Sequence, residues 1–306
     1  MTILWVIPAV LLLAAALGFF LASFSMRIRP QTLEEARAWQ EAHYDLSWYD
    51  GLKKENYTVS VEDGTALHVQ ALFNPVPSDR FVLISHGYTD NRFGALKYAG
   101  LYLDLGFSVI VYDLRGHGEN ERTFCTYSVR EGRDLDALIR DSRKRYPSAK
   151  VFGIHGESLG AASSVACLKY RPPIEFAVAD CGFAEIESVM RNGLRAMRLP
   201  GGLVRLASVC AKLRYGYSYR EMRPIDSLPG NRIPVLFLHG EKDTFIPPEH
   251  SRRMREADSG YSEMYLIPGA PHAASVLTDR EAYRRHLAGF LRALGIIGEE
   301  QAAEKG

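Results

Sequence analysis

Gly156-Glu157-Ser158-Leu159-Gly160 is the stretch whose reading decides the fold. It follows the apolar run Val151-Phe152-Gly153-Ile154-His155 and precedes the small-residue run Ala161-Ala162-Ser163-Ser164-Val165-Ala166. That order predicts a buried strand, a turn too tight for ordinary side chains, and a helix. A Gly-x-Ser-x-Gly turn in this setting strains the serine backbone and lifts its hydroxyl out of the sheet. The two glycines are required because a β-carbon at either place would meet the neighbouring backbone. Ser158 is therefore the candidate nucleophile.

Outward from the turn, apolar runs alternate with helical stretches. Phe81–Ile84, Phe107–Tyr112, Phe176–Ala179, Val235–Leu238 and Glu263–Ile267 read as strands, most of them apolar throughout, as strands covered on both faces are. Helices are expected over Phe93–Leu105, Val129–Arg145, near His250, and from Asp279 to Leu294. A hairpin, Tyr57–Val61 and Leu67–Leu72 around Glu62-Asp63-Gly64, opens the domain. Alternation of this kind means a mostly parallel sheet with helices on both faces, so the fold class is α/β.

A serine hydroxyl needs a base to take its proton, and the base needs an anion to hold its tautomer. Downstream of Ser158, Asp243 lies just past the Val235–Leu238 strand and is the candidate acid, with Glu241 as its near competitor. His272, in Pro268-Gly269-Ala270-Pro271-His272, follows the next strand and is the candidate base. The order Ser, acid, His is that of one hydrolase architecture. Oxyanion stabilisation needs backbone donors set in advance. Leu159 would supply one, and Tyr88, in Ser85-His86-Gly87-Tyr88, the other; the Tyr88 ring could also wall the acyl pocket. His86, His117, His155 and His239 each precede a glycine and are expected to brace loops. Neither a metal-binding histidine cluster nor a cofactor motif is present, so no metal and no cofactor are implied.

Five motifs together resemble those of the α/β-hydrolase superfamily: His86-Gly87-Tyr88-Thr89, Asp113-Leu114-Arg115-Gly116-His117-Gly118, the Ser158 turn, His239-Gly240-Glu241-Lys242-Asp243, and Pro268 to His272. The resemblance runs from Tyr57 to Leu294 and is closest to membrane-anchored bacterial members. It implies an eight-stranded, mostly parallel sheet, Ser158 as nucleophile, Asp243 as acid, His272 as base, and Tyr88 and Leu159 as oxyanion donors. Glu119-Asn120 depart from the pattern, where many relatives carry a serine. Glu157, beside the nucleophile, either tunes the local electrostatics or is simply solvated.

The remainder of the chain supplies a setting. Ile3 to Phe24 is apolar on every face, with no charge before Arg27. As a helix it would reach about 33 Å, enough to cross a bilayer core. A cleaved signal peptide is the rival, but nothing basic precedes the run. Residues 1–26 are read as a single-pass anchor in the cell membrane and 27–56 as a connector, with a capping box from Thr32 to Glu35. The hydrolase domain is 57–296, and 297–306 a polar tail. Arg27 and Arg29 place the domain on the cytoplasmic side. Trp39, His43, Tyr44 and Trp48 would pack on the domain or sit among headgroups.

Between Phe183 and Asp226 no strand pattern occurs. Two helices divided by Pro200-Gly201-Gly202 are expected, an insertion read as a lid over 183–226. That interval holds eight basic residues against four acidic, a net of +4, which suits lipid-like or anionic substrates or marks a solvated face. A length of 306 residues, 47% hydrophobic and with a formal charge of +1, fits one large α/β domain and gives no reason to expect nucleic acid. Cys125, Cys167, Cys181 and Cys210 lack metal-type spacing and read as buried thiols.

The functional expectation is a serine hydrolase cleaving small acyl or ester substrates through an acyl-enzyme. A peptidase or an acyltransferase on the same triad is the alternative. A non-catalytic membrane-tethered interaction protein would be free to lose Ser158, Asp243 or His272, and all three are present. Oligomeric state is not legible.

Overall fold

A computed structural model of the protein describes residues 3–299; most of the polar tail lies outside the described residues. Eight strands form one sheet: β1 (Lys54–Ser60), β2 (Ala66–Leu72), β3 (Arg80–Ser85), β4 (Ser108–Tyr112), β5 (Val151–Glu157), β6 (Phe176–Asp180), β7 (Val235–Gly240) and β8 (Ser262–Ile267). Their order is β1-β2-β4-β3-β5-β6-β7-β8. The hairpin of β1 and β2 is antiparallel and joins β4 antiparallel; all other neighbours run parallel. β1 begins three residues before the apolar alternation that predicts it, because Lys54 pairs with Leu72 through the backbone alone.

The helices are α1 (Ile3–Met26), α2 (Leu33–His43), α3 (Ser47–Gly51), α4 (Leu96–Asp104), α5 (Val129–Arg145), α6 (Leu159–Cys167), α7 (Ile186–Ala196), α8 (Gly202–Tyr215), α9 (Glu249–Ala257), α10 (Ser275–Thr278) and α11 (Arg280–Ala293). The Thr32 capping box forms as expected, with Glu35 N–H donating to Thr32 Oγ1 at 3.1 Å and Thr32 N–H to Glu35 Oε2 at 2.8 Å. One face of the sheet is packed by Leu135 and Leu138 of α5, Val165 of α6 and Met254 of α9. The other carries Leu101 of α4 and Leu287 and Leu291 of α11. Burying the sheet on both faces is what lets β3, β4, β5, β6 and β7 read as nearly unbroken apolar runs.

The insertion after β6 folds as two helices, α7 and α8, separated by the Pro200-Gly201 turn. Its base is pinned to the domain where Arg253 of α9 donates twice to the Glu185 carboxylate, both at 2.8 Å. The apolar N-terminal run is a helix, as expected, but not one free on all sides. Residues 7–13 are exposed, whereas Ala22 and Met26 are fully buried.

Candidate active site

The parallel register brings the site together at one edge of the sheet. Ser85 at the end of β3 lies opposite Gly156 of β5, and Glu157 opposite Asp180 of β6. The loop after β3 therefore meets the turn after β5. That turn is as tight as its glycines predict. A β-carbon on Gly156 would lie 2.2 Å from the Gly160 carbonyl carbon, and one on Gly160 would lie 2.1 Å from Ser85 O. Ser158 sits between them at φ 52°, ψ −109°, in a region a side chain tolerates only when its surroundings hold it there. Its N–H is fastened to Asp180 O at 2.8 Å.

Ser158 Oγ is 3.0 Å from His272 Nε2, and His272 Nδ1 is 2.6 Å from Asp243 Oδ2. The three residues expected to act together are thus hydrogen-bonded in series. The second Asp243 oxygen accepts from Phe245 N–H at 3.0 Å and Ile246 N–H at 2.8 Å. Burial works to raise the Asp243 pKa, but hydrogen bonds from His239 and His272 outweigh it and hold the carboxyl at about 2. Asp243 is thus an anion at neutral pH. Glu241, its competitor in the sequence, points elsewhere and accepts from Gly269 N–H at 3.1 Å.

Leu159 is the first residue of α6, at the positive end of the helix. The Gly87–Tyr88 segment faces the nucleophile, since a β-carbon on Gly87 would be 3.8 Å from Ser158 Cβ. The Tyr88 ring stacks at 6.0 Å on Tyr127, and its hydroxyl donates to Arg27 O at 3.1 Å. A pocket of about 290 Å³ opens beside His272, between Gly87 and Tyr88 on one side and Lys97 on the other. Its roof is α2, through Trp39 and Gln40. The connector is thus a wall of this pocket through Gln40, a residue 1% exposed whose buried amide oxygen has no hydrogen-bond partner among the described residues.

Cys181, Asp243 and His272 bring three ligand-type atoms within 4.8 Å of one another. Asp243 and His272 are already committed to their hydrogen bonds, and burial pushes the Cys181 thiol well above its usual pKa. A neutral thiol beside an occupied pair is a poor metal site.

A scan against family models matches residues 77–228 to Hydrolase_4, described as serine aminopeptidase, S33. YqkD, an uncharacterized protein of Bacillus subtilis, is 30% identical over 298 residues, covering 94% of this chain and 96% of its own. The chain belongs to the α/β-hydrolase superfamily. An uncharacterized membrane protein of Saccharomyces cerevisiae is 22% identical, covering 78% of this chain and 80% of its own. Among solved structures, the Pyrococcus furiosus esterase Pf2001 superposes with a TM-score of 0.70 at 21% identity, covering 87% of this chain and 98% of that one. An esterase from Exiguobacterium antarcticum superposes at 0.57 and 16% identity, covering 78% of this chain and all of that one. At such identities the likeness speaks for the fold.

Several residues around this hydrolase-fold site escape the sequence reading. His239, expected to brace a loop, does so: its Nε2–H donates to Ile246 O at 2.7 Å, and its Nδ1 accepts from Ser251 Oγ at 2.7 Å. The same Nε2 also lies 3.2 Å from Asp243 Oδ2, so it supports the acid directly. Glu157 is not solvated. It is 4% exposed, paired with the buried ammonium of Lys97, and takes a hydrogen bond from Tyr98 Oη at 2.6 Å. Tyr98 Oη also lies 3.0 Å from Asp180 Oδ2. A lysine inside the apolar run Leu96-Lys97-Tyr98-Ala99 was the signal that could have found this network. The departure at Asn120 has a structural account: its amide donates to Asp113 O at 2.6 Å and Leu114 O at 3.1 Å, bracing the loop. Arg115 in that loop is bound to Asp134 at 2.6 Å and Asp63 at 2.7 Å.

Proposed function

We propose that this protein is a membrane-anchored serine hydrolase that cleaves carboxylic esters through an acyl-enzyme, with Ser158 as nucleophile, His272 as base and Asp243 as acid. The observation that carries the proposal is the unbroken series from Ser158 Oγ through His272 to Asp243, at 3.0 and 2.6 Å. As Ser158 Oγ attacks the ester carbonyl, its proton passes to His272 Nε2. Asp243, an anion already, stabilises the imidazolium so formed. The carbonyl oxygen becomes an oxyanion facing the N–H groups of Leu159 and Tyr88, each donor worth about 3–4 kcal/mol. His272 then hands its proton to the departing alkoxide. Water, deprotonated by the same imidazole, attacks the acyl-enzyme; as that intermediate collapses, His272 returns its proton to Ser158 Oγ and the acid leaves.

Labelling with a fluorophosphonate tests the nucleophile. Wild type should be labelled and Ser158→Ala should not, with ester turnover lower by at least ~10⁴-fold. Equal labelling of the two would remove Ser158 from this role. The matched family, described as a serine aminopeptidase, favours a second reading, a peptidase on the same three residues. A panel of esters, thioesters and amino-acid amides separates them, and turnover of amides alone would replace the ester reading.

The anchor reading is supported by how the apolar helix ends. Met26 O accepts from Cys125 N–H at 2.9 Å, so the end of the helix is built into the domain rather than set up for removal. Arg27 and Arg29 favour a cytoplasmic domain, and resistance of that domain to protease added outside intact cells is the expected outcome.

A further inference from the structure

The anchor helix is packed against the lid. Gly18 of α1 lies so close to α8 that a β-carbon there would come within 2.6 Å of Cys210 Sγ and 2.9 Å of Leu206 Cγ. Ala22 and Met26 join Ala207, Cys210 and Ala211 in one buried cluster. One step further, Ser25 Oγ shares a hydrogen bond with Tyr219 Oη, and Ser25 O accepts from Tyr127 Oη. Two helices in such contact share their surroundings, so lipid that surrounds α1 must also reach α8.

The outward faces agree with this. On α1, Leu17, Phe20 and Phe24 are exposed; on α8, Val209 is 59% exposed and Leu213, one turn on, 72%. Water is a poor solvent for a continuous surface of this composition. Arg195 in the last turn of α7, Arg198 in the turn that follows it, and Arg205 on α8 are exposed as well. Among the described residues none of these three pairs with an acid, whereas Arg191 is paired with Glu187 and Lys212 with Glu221. Exposed apolar side chains flanked by unpaired arginines are what an interfacial helix presents to lipid. It buries its apolar face about 5–10 Å deep and sends its cations back to the phosphates.

We propose that α8 and the turn before it form a second membrane-docking element, seated at the headgroup–acyl boundary of a bilayer that contains anionic lipid. The proposal rests on α1 being a membrane span and commits the lid to lipid as well. Because the Arg27 carbonyl, just past the end of α1, accepts from the Tyr88 hydroxyl beside the pocket, the arrangement would bring the pocket close to the membrane surface.

The test uses the full chain in vesicles, with an environment-sensitive fluorophore on single introduced cysteines, the four native ones being buried. Leu213→Cys and Val209→Cys report on the lid, Leu12→Cys on the anchor, and Val76→Cys, exposed at the opposite edge of the sheet, is the aqueous reference. Vesicles are phosphatidylcholine alone, or with roughly one-third phosphatidylglycerol to supply anionic charge. The lid labels should shift to the blue, lose quenching by aqueous iodide, and be quenched by lipids brominated in the acyl chain; the Val76 label should do none of these. Lid labels quenched by iodide like the reference would overturn the proposal. A lipid-quenched Leu12 label in that same experiment would leave the span standing; an aqueous one would remove both. Lid labels shielded from iodide yet untouched by brominated lipid would mean a protein partner and also overturn it. Equal penetration into both vesicle types, or penetration unaltered in the Arg195→Gln, Arg198→Gln, Arg205→Gln variant, would sink the anionic-lipid part. None of these readings depends on catalysis.

Discussion

Lys97 donates to two places that matter for the site. Its ammonium pairs with Glu157, the residue before Ser158, and lies 3.4 Å from Ala273 O, the residue after His272. A buried cation that joins both loops helps set the distance between Ser158 and His272. Around it are carboxyls under opposing pressures. Burial first, and then the nearby Glu157 charge, raise Asp180 to about 6, and burial raises Asp90 to about 6. A carboxyl whose pKa is higher folded than unfolded binds its proton more tightly in the native state. Its contribution to stability is therefore present below pH ~4 and lost as pH rises toward 6. Asp243, held at about 2, has the opposite sign and loses its contribution only as pH falls below ~4. Buried His117 and His155, held at about 4 and about 3, work in the opposite direction over this range. By scanning calorimetry from pH 4 to 6.5, the wild type should therefore lose stability relative to Asp180→Asn. Parallel curves for the two proteins would refute this assignment. Ser158, Asp243 and His272, the residues proposed to act together, are each readable because each follows a strand that announces itself. Of the Lys97 cluster, only the lysine itself stands out, as a charge inside an apolar run; no linear pattern says that it meets Glu157 and Asp180.

Elements were legible in proportion to their periodicity. α5 spans Val129–Arg145 as expected, and α11 agrees within a residue at each end, since both carry an apolar stripe between capping residues. The stretch from Phe93 was expected as one helix but divides into a 3-10 turn over Arg92–Ala95 and α4. Its start is set by Asn91, whose side chain accepts from Phe93 N–H at 3.0 Å. The partner of α1 was beyond reach, because a helix apolar on every face has no stripe to point at α8. Gly18 is the hinge of that contact, as a glycine lets two helices approach closely. Replacing it with isoleucine should part α1 from α8 in detergent solution, turning buried Cys210 reactive toward a thiol reagent and lowering the thermal midpoint. Unchanged Cys210 reactivity would show that the helices do not meet as described.

For the molecule as a whole, the apolar N-terminal helix acts as part of the fold. Removing residues 1–26 would strip Met26 O from Cys125, and Ser25 from Tyr127 and Tyr219, while uncovering Leu206 and Cys210 where Gly18 packs on them. The truncated protein should therefore melt lower than the full chain and tend to aggregate, as measured by thermal unfolding and light scattering. A plain tether could be cut away with no change in melting, and that result would sink the coupling. The sequence by itself determined the α/β class, the tight turn at Ser158, the chain order of Ser158, Asp243 and His272, the two helices of the insertion after β6 and an apolar N-terminal run. Each is a local signal, carried by a period, a glycine or a short motif. Only the tertiary structure decided that α2 roofs the pocket, that Lys97 joins the loops carrying Ser158 and His272, and that α8 packs on α1. Those contacts unite segments far apart in the chain, and the energy that selects them comes from burial and pairing, which appear only once the sheet has brought the segments together.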